Sequence, residues 1–256
     1  MSAVAVHTVI SGPADAPVLV LSNSLGSDHR MWDRQIDELA TRFRVVRYDT
    51  RGHGSSPVPD GPYSIDDLAD DLIAVLDSLG VARAHIGGLS LGGMTAMRVA
   101  IRNPERVDRL ALLCTAAQMP PASGWLDRAA AVREAGTASI AEAVVSRWFT
   151  AEYQATQTEP IEYFQQMVAA TPAAGYAGCC EAIAAMDQRD TLTSIAAPTL
   201  VIAGADDPAT PPPMLAEIAE AAQQAHLLVV DHAAHLANVE QADTVTAALL
   251  THLEKS

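Results

Sequence analysis

The stretch Ala84-His85-Ile86-Gly87-Gly88-Leu89-Ser90-Leu91-Gly92-Gly93-Met94 carries Gly88-x-Ser90-x-Gly92 where an apolar strand pattern gives way to a helical one reaching about Asn103-Pro104. A sharp strand-to-helix turn holds its central serine in strained backbone geometry. Strand and helix then approach closely only if the residues two positions away on either side lack bulk. The same turn aims the Leu91 N–H and the helix N-terminus at negative charge developing on a substrate oxygen. The chemistry this predicts is nucleophilic attack by Ser90 on an acyl carbon; otherwise Ser90 is an incidental surface serine in a tight turn.

A serine needs a base, and the base needs a carboxylate to orient it. For a nucleophile on this kind of turn, the acid precedes the histidine in the chain. The loop after Leu110–Cys114, Thr115-Ala116-Ala117, has no carboxylate. After Thr199–Ala203 comes Gly204-Ala205-Asp206-Asp207-Pro208, and after His226–Val230 comes Asp231-His232-Ala233-Ala234-His235. Asp207 is preferred to Asp206 because it precedes Pro208 at the loop apex, leaving Asp206 to cap the turn. His235 is preferred to His232 because it stands just before the last helix, expected to begin near Asn238. A second oxyanion donor is expected after Val18–Ser22, in Ser22-Asn23-Ser24-Leu25-Gly26-Ser27. There Leu25 N–H is the candidate, since Gly26 lets the chain bend; the competing reading is a plain Gly/Ser turn. His85 reads as a satisfied core histidine, and His7, His226 and His252 carry no partner signal.

Strands must place these loops side by side. The candidates are Ala3–Ile10, Val18–Ser22, Arg44–Tyr48, Ala84–Gly87, Leu110–Cys114, Thr199–Ala203 and His226–Val230, several of them continuous apolar runs of the kind buried on both faces of a parallel sheet. Between them, Ser64 and Asp67 form a capping box, Ile65, Leu68, Leu72, Leu76 and Leu79 recur at helical spacing, and Gly80 closes the helix. Strand patterns vanish between Pro120 and Ala196, where about four helical segments rich in Ala, Glu and Gln are expected. The organisation is therefore an α/β core, residues 1–119 and 197–256, interrupted by a helical cap over 120–196. Tyr48-Asp49-Thr50-Arg51-Gly52-His53-Gly54-Ser55-Ser56 reads as a structural strand-end loop with Asp49 and Arg51 paired. Met94 and Met97 share one helix face and read as core packing.

The chain of 256 residues has 31 acidic and 16 basic side chains, a formal charge of −15. Without a Lys/Arg run, neither nucleic acid nor an anionic membrane is expected as a partner. Cys114, Cys179 and Cys180 cannot build a disulfide framework and suit a reducing compartment. No signal-peptide pattern opens the sequence and no run nears eighteen apolar residues, so a cytoplasmic protein is expected. A homo-oligomer is left open.

The segments Gly88-Leu89-Ser90-Leu91-Gly92-Gly93, Asp49-x-Arg51-Gly52-His53-Gly54-x-Ser56, Gly204-x-x-Asp207-x-x-Thr210-Pro211 and Ala234-His235 together resemble the α/β-hydrolase fold. That resemblance implies a mostly parallel sheet flanked by helices, with a helical cap inserted after the sixth strand. Ser22-Asn23-Ser24-Leu25-Gly26 followed by Met31-Trp32-Asp33, together with Ala205-Asp206-Asp207-Pro208 and His235-Leu236-Ala237-Asn238, resembles the 3-oxoadipate enol-lactonases of the β-ketoadipate pathway. The resemblance implies Ser90 as nucleophile, His235 as base, Asp207 as its orienting acid, and the N–H groups of Leu25 and Leu91 as the oxyanion hole. It also implies no cofactor, no metal, and a small anionic lactone as substrate. The substrate carboxylate then needs a cation or free N–H groups near Ser90. Arg30, Arg133 and Arg147 are the candidates, and Trp125 in the cap joins them as a substrate-binding residue. The alternatives are a carboxylesterase or small-acyl hydrolase with perhydrolase activity, or a non-catalytic ligand receptor on the same fold.

Overall fold

The structure is a computed structural model that describes residues 2–254. Its order is β1 (Thr8–Ser11), β2 (Val18–Ser22), α1 (Asp33–Leu39), β3 (Arg44–Tyr48), α2 (Ile65–Ser78), β4 (Ala84–Leu89), α3 (Leu91–Arg102) and β5 (Val107–Leu113). Five cap helices follow: α4 (Ala122–Ala135), α5 (Ala141–Val145), α6 (Ala151–Thr156), α7 (Thr158–Ala170) and α8 (Ala173–Ala185). The chain then returns through β6 (Thr199–Gly204), α9 (Pro212–Ala221), β7 (Ala225–Val230), α10 (Ala237–Glu240) and α11 (Ala242–Leu253).

The seven strands form one sheet in the order β1-β3-β2-β4-β5-β6-β7. β1 pairs antiparallel with β3, and every other pairing is parallel. The helical insertion lies between β5 and β6. The first expected strand is shortened. Residues 2–7 lie outside the ladder, because Val4 N–H donates to Asp71 Oδ1 (2.7 Å) and His7 N–H to Ser56 Oγ (2.8 Å) instead of to a neighbouring strand.

Side chains alternate across the sheet as strand geometry requires. Val20, Val46, Ile86, Leu110, Leu112 and Val201 join one core with the inner faces of α2, α3 and α9. Leu19, Leu21, Val45, Ala111, Leu113 and Ile202 join the other with α1 and α11. The α2 capping box forms as expected, with Ser64 Oγ accepting from Asp67 N–H and Asp67 Oδ2 accepting from Ser64 N–H. Gly80 ends that helix at φ 66°.

The cap seats on the core backbone to backbone. A Cβ on Gly52 would collide with the Gly175 main chain, and one on Gly175 with the Gly52 carbonyl. Arg51, beside this contact, pairs not with Asp49 but with Asp71 of α2, Nε to Oδ2 at 2.6 Å and Nη2 to Oδ1 at 2.7 Å. The strand-end loop turns Arg51 onto α2, where Nη2 also donates to the Asp67 carbonyl (3.1 Å), while Asp49 faces His29 and Ser55. Among the described residues no helix is long and apolar enough to cross a membrane.

Candidate active site

Ser90 stands between β4 and α3 at φ 56°, ψ −116°, a left-handed conformation that costs a residue with a Cβ. Its glycine neighbours make the turn possible. A Cβ on Gly88 would run into the Gly92 carbonyl, and one on Gly92 into the Ser22 carbonyl at the end of β2. Leu91 opens α3, so its N–H has no acceptor within the helix and is free to meet an anion.

Asp207 and His235 come from the loops after β6 and β7. His235 Nδ1 lies 2.8 Å from Asp207 Oδ2, and both side chains are almost wholly buried. Asp207 also accepts from Ala209 N–H (2.8 Å), Thr210 N–H (3.1 Å) and Thr210 Oγ1 (2.7 Å). Burial alone raises the Asp207 carboxyl, but the facing His235, its hydrogen bond and the Thr210 donors outweigh burial and hold it below the usual carboxylate range. An ionised Asp207 fixes Nδ1 as the protonated nitrogen of His235, which leaves Nε2 as the acceptor on the side of the cavity. Asp206 and His232 are exposed on the same two loops. The sequence signal for Thr210 is the spacing Asp207-x-x-Thr210, which lets one hydroxyl and one N–H cap the same carboxylate.

The Ser22–Ser27 loop is anchored by residues of the Asn-Ser-Leu-Gly and Met-Trp segments. Asn23 Nδ2 donates to the Tyr48 carbonyl (2.6 Å) and its Oδ1 accepts from Trp32 Nε1 (3.1 Å). Gly26 N–H donates to His53 Nε2 (3.0 Å), and His53 Nδ1 lies 3.2 Å from the Arg51 carbonyl. Burial pushes the His53 imidazole below its ordinary range, and the neutral ring protonated at Nδ1 satisfies both contacts. The strand-end loop thus works structurally, by holding the turn that presents Leu25.

Ser90, Leu25 and His235 line one cavity of about 70 Å³ under the cap, walled by Met94, Trp125, Trp148 and Tyr176. Of the candidate cations, Arg147 lines this cavity, and Trp125 lines it too. Arg30 does not: it pairs with Asp28 (Nε–Oδ1 2.9 Å, Nη2–Oδ2 2.6 Å) and lies over the Tyr163 ring at 5.6 Å. Arg133 is held by Glu181 in α8, Nη1–Oε1 at 2.6 Å and Nη2–Oε2 at 2.9 Å. Arg128 replaces them, lining the cavity with its guanidinium 4.7 Å from the Trp125 ring centre. Its place was open to sequence reasoning, since Trp125 and Arg128 are one helical turn apart and so share a face. Among the described residues neither Arg128 nor Arg147 forms an ion pair with a carboxylate. Burial pushes up the phenol of neighbouring Tyr176, with Arg128 opposing it.

The remaining motifs are structural. Met97 is core, whereas Met94 also walls the cavity. His85 is buried edge-on to Phe43 (5.5 Å between ring centres), but its Nδ1 has no hydrogen bond, standing 3.6 Å from Asp108 Oδ2. His226 and His252 lie against each other at 5.6 Å. Glu240 of α10 ties the cap to the histidine loop, accepting from Thr150 N–H (3.1 Å), from the Thr150 hydroxyl and from Ala234 N–H (2.9 Å).

A serine at a strained strand-to-helix turn, on a mostly parallel sheet with a helical insertion, defines a class: residues 17–242 match the alpha/beta hydrolase fold family, and the chain belongs to it. Within that family it is 42% identical to 3-oxoadipate enol-lactonase 2 of Acinetobacter baylyi, over 93% of this chain and 89% of that protein. The crystal structure of the enol-lactonase from Burkholderia xenovorans LB400 superposes with a TM-score of 0.96 at 40% identity, covering 98% of this chain and 96% of that one. A thermophilic esterase from Thermogutta terrifontis, described with malate bound, gives a TM-score of 0.90 at 32% identity, covering 96% and 92%.

Proposed function

We propose that the protein is a serine hydrolase that opens the lactone ring of 3-oxoadipate enol-lactone to give 3-oxoadipate, with no cofactor. Residues 1–119 and 197–256 form the catalytic core in this reading, and 120–196 the cap. The observation that carries it is the cavity that holds Ser90 and His235 with Arg128 and Arg147, positive charge gathered at one point of a chain whose net charge is −15. A substrate carboxylate is repelled by such a surface at long range and needs a local cation to dock.

The steps follow from the roles of the side chains. His235 Nε2 takes the Ser90 hydroxyl proton as Oγ attacks the lactone carbonyl. The N–H groups of Leu25 and Leu91 receive the oxyanion. The ring C–O bond breaks and His235 returns its proton to the departing enol oxygen. The enol stays tethered to the acyl-enzyme, so its ketonisation removes the competing ring closure. His235 then takes a proton from water as its oxygen attacks the acyl carbon, and returns that proton to Ser90 Oγ as the ester bond breaks, releasing the product acid and restoring the serine hydroxyl. An enol leaves more readily than an alkoxide, so stabilising the oxyanion is the larger task.

A carboxylesterase is the second reading, favoured by the esterase relative at 32% identity. Enol-lactone turnover followed by ultraviolet absorbance, set against hydrolysis of p-nitrophenyl esters, separates the two. A higher kcat/KM on the enol-lactone is expected, and faster cleavage of the simple esters overturns the lactonase reading. Ser90 is expected to react with a fluorophosphonate probe; a folded protein that does not react is a receptor and not a hydrolase.

A further inference from the structure

Away from the Ser90 cavity, His7, His29 and Asp49 each offer a donor atom, and the three atoms lie within 4.8 Å of one another. We propose that these side chains form a binding site for a late first-row divalent cation, with Zn²⁺ as the type, separate from the catalytic chemistry. None of the three lines the Ser90 cavity. Two imidazoles and a carboxylate match the preference of such ions for nitrogen and oxygen donors, in a set that leaves one position open. His29 Nδ1 already stands 2.8 Å from Asp49 Oδ1, and the His7 and His29 rings are 5.6 Å apart, centre to centre. Tetrahedral donors around Zn²⁺ sit about 3.3 Å from one another, so small side-chain rotations convert this spacing into a coordination shell.

The frame around the trio is fixed. Asp49 N–H donates to the His7 carbonyl (2.9 Å), and His7 N–H donates to Ser56 Oγ (2.8 Å). The second carboxylate oxygen of Asp49 accepts from Ser55 N–H (2.9 Å), the kind of outer bond that orients a ligand. A surface cavity of about 410 Å³, lined by His29, Asp49, Asp28 and Ser55, opens a path from solvent. The neighbouring cations are already balanced: Arg30 is paired with Asp28, and Arg47, whose Nη1 is 3.4 Å from the His29 carbonyl, is paired with Asp33. An ion here would tie together the chain before β1, the turn before α1 and the end of β3.

The test uses the whole chain, carrying no histidine tag and stripped with a chelator. Zn²⁺ is expected to bind one per chain by titration calorimetry. Co²⁺ is expected to give a visible ligand-field spectrum at the same stoichiometry. His7→Gln and His29→Gln are each expected to weaken binding about tenfold or more, while His232→Gln, outside the trio, leaves it unchanged. In the unmodified protein, Zn²⁺ is expected to move the imidazole nitrogen resonances of His7 and His29 and not those of His226 or His252, a readout that needs no variant to fold. Absence of binding at millimolar Zn²⁺, binding that survives the His7→Gln/His29→Gln double variant, or shifts confined to other histidines each overturn the proposal.

Discussion

Replacing Ser90 with glycine should make the protein more stable while abolishing its activity. The residue sits at φ 56°, ψ −116°, where a Cβ costs about 1–3 kcal/mol. Glycine removes that cost but adds about 0.5–1 kcal/mol of backbone entropy to the unfolded chain. Taking the middle of each range, about 2 and about 0.75 kcal/mol, the net gain is about 1 kcal/mol, which for a chain of this length raises Tm by roughly 2–4 °C. Ser90→Ala is the control, since it loses the nucleophile but keeps the Cβ and the strain. Urea unfolding followed by far-ultraviolet circular dichroism, with m unchanged, reads the difference directly. If Ser90→Gly is no more stable than Ser90→Ala, the turn is not strained and the account of why a serine is held there fails.

Other outcomes follow from the same geometry. Asp207→Asn should lower kcat by a factor on the order of 10⁴, because an amide no longer fixes the His235 tautomer, whereas Asp206→Asn keeps its rate; the reverse pattern in initial-rate assays would move the acid to Asp206. Arg128→Met should raise KM for the enol-lactone by roughly ten- to a hundredfold, the worth of one hydrogen bond to a charged group, and leave KM for p-nitrophenyl acetate alone; equal effects on both would deny it a role at the carboxylate. The Asp207 carboxyl is held low in the folded state, so it releases its proton more readily folded than unfolded. Its stabilising contribution is therefore complete above the ordinary carboxylate range and is lost as pH falls through the lowered folded value. Urea midpoints measured from pH 6 to pH 3 should consequently fall more steeply for the wild type than for Asp207→Asn, and parallel curves would contradict the shift. Glu240→Gln should cost about 1.5–3 kcal/mol in chemical denaturation, since it replaces a charged acceptor of cap and loop donors; an unchanged midpoint would show that Glu240 does not couple the two.

What the sequence disclosed depended on whether the signal was local. β2 and β3 fall on the expected residues, Val18–Ser22 and Arg44–Tyr48, because short β-branched and leucine-rich runs bounded by turn residues have few other solutions. The Ser90 turn and the α2 capping box are likewise written in residues three or fewer apart. Asp207 and His235 were placed by loop position and chain order, and the structure brings them within hydrogen-bond distance. Partnerships set by tertiary packing were not legible. Sequence proximity pairs Arg51 with Asp49, but Arg51 reaches Asp71 on α2, twenty residues on. Arg30 and Arg133 carried charge of the right sign, yet each is claimed by a carboxylate, Asp28 or Glu181, so neither is left for a ligand. The cap was evident as a loss of strand patterns, but its division into five helices was not, since alanine-rich sequence hides where one helix ends.

The Gly52–Gly175 contact lays the cap's backbone directly on the core, one residue before Tyr176, which walls the Ser90 cavity. No side chain is interposed, so the two backbones meet directly and a Cβ at either glycine would overlap the other. Any larger residue at either position must lift the cap away from the core, deepening the space beneath without altering a single group that lines it. The space beside Ser90 is therefore adjustable from outside the cavity, through a joint that carries no chemistry of its own.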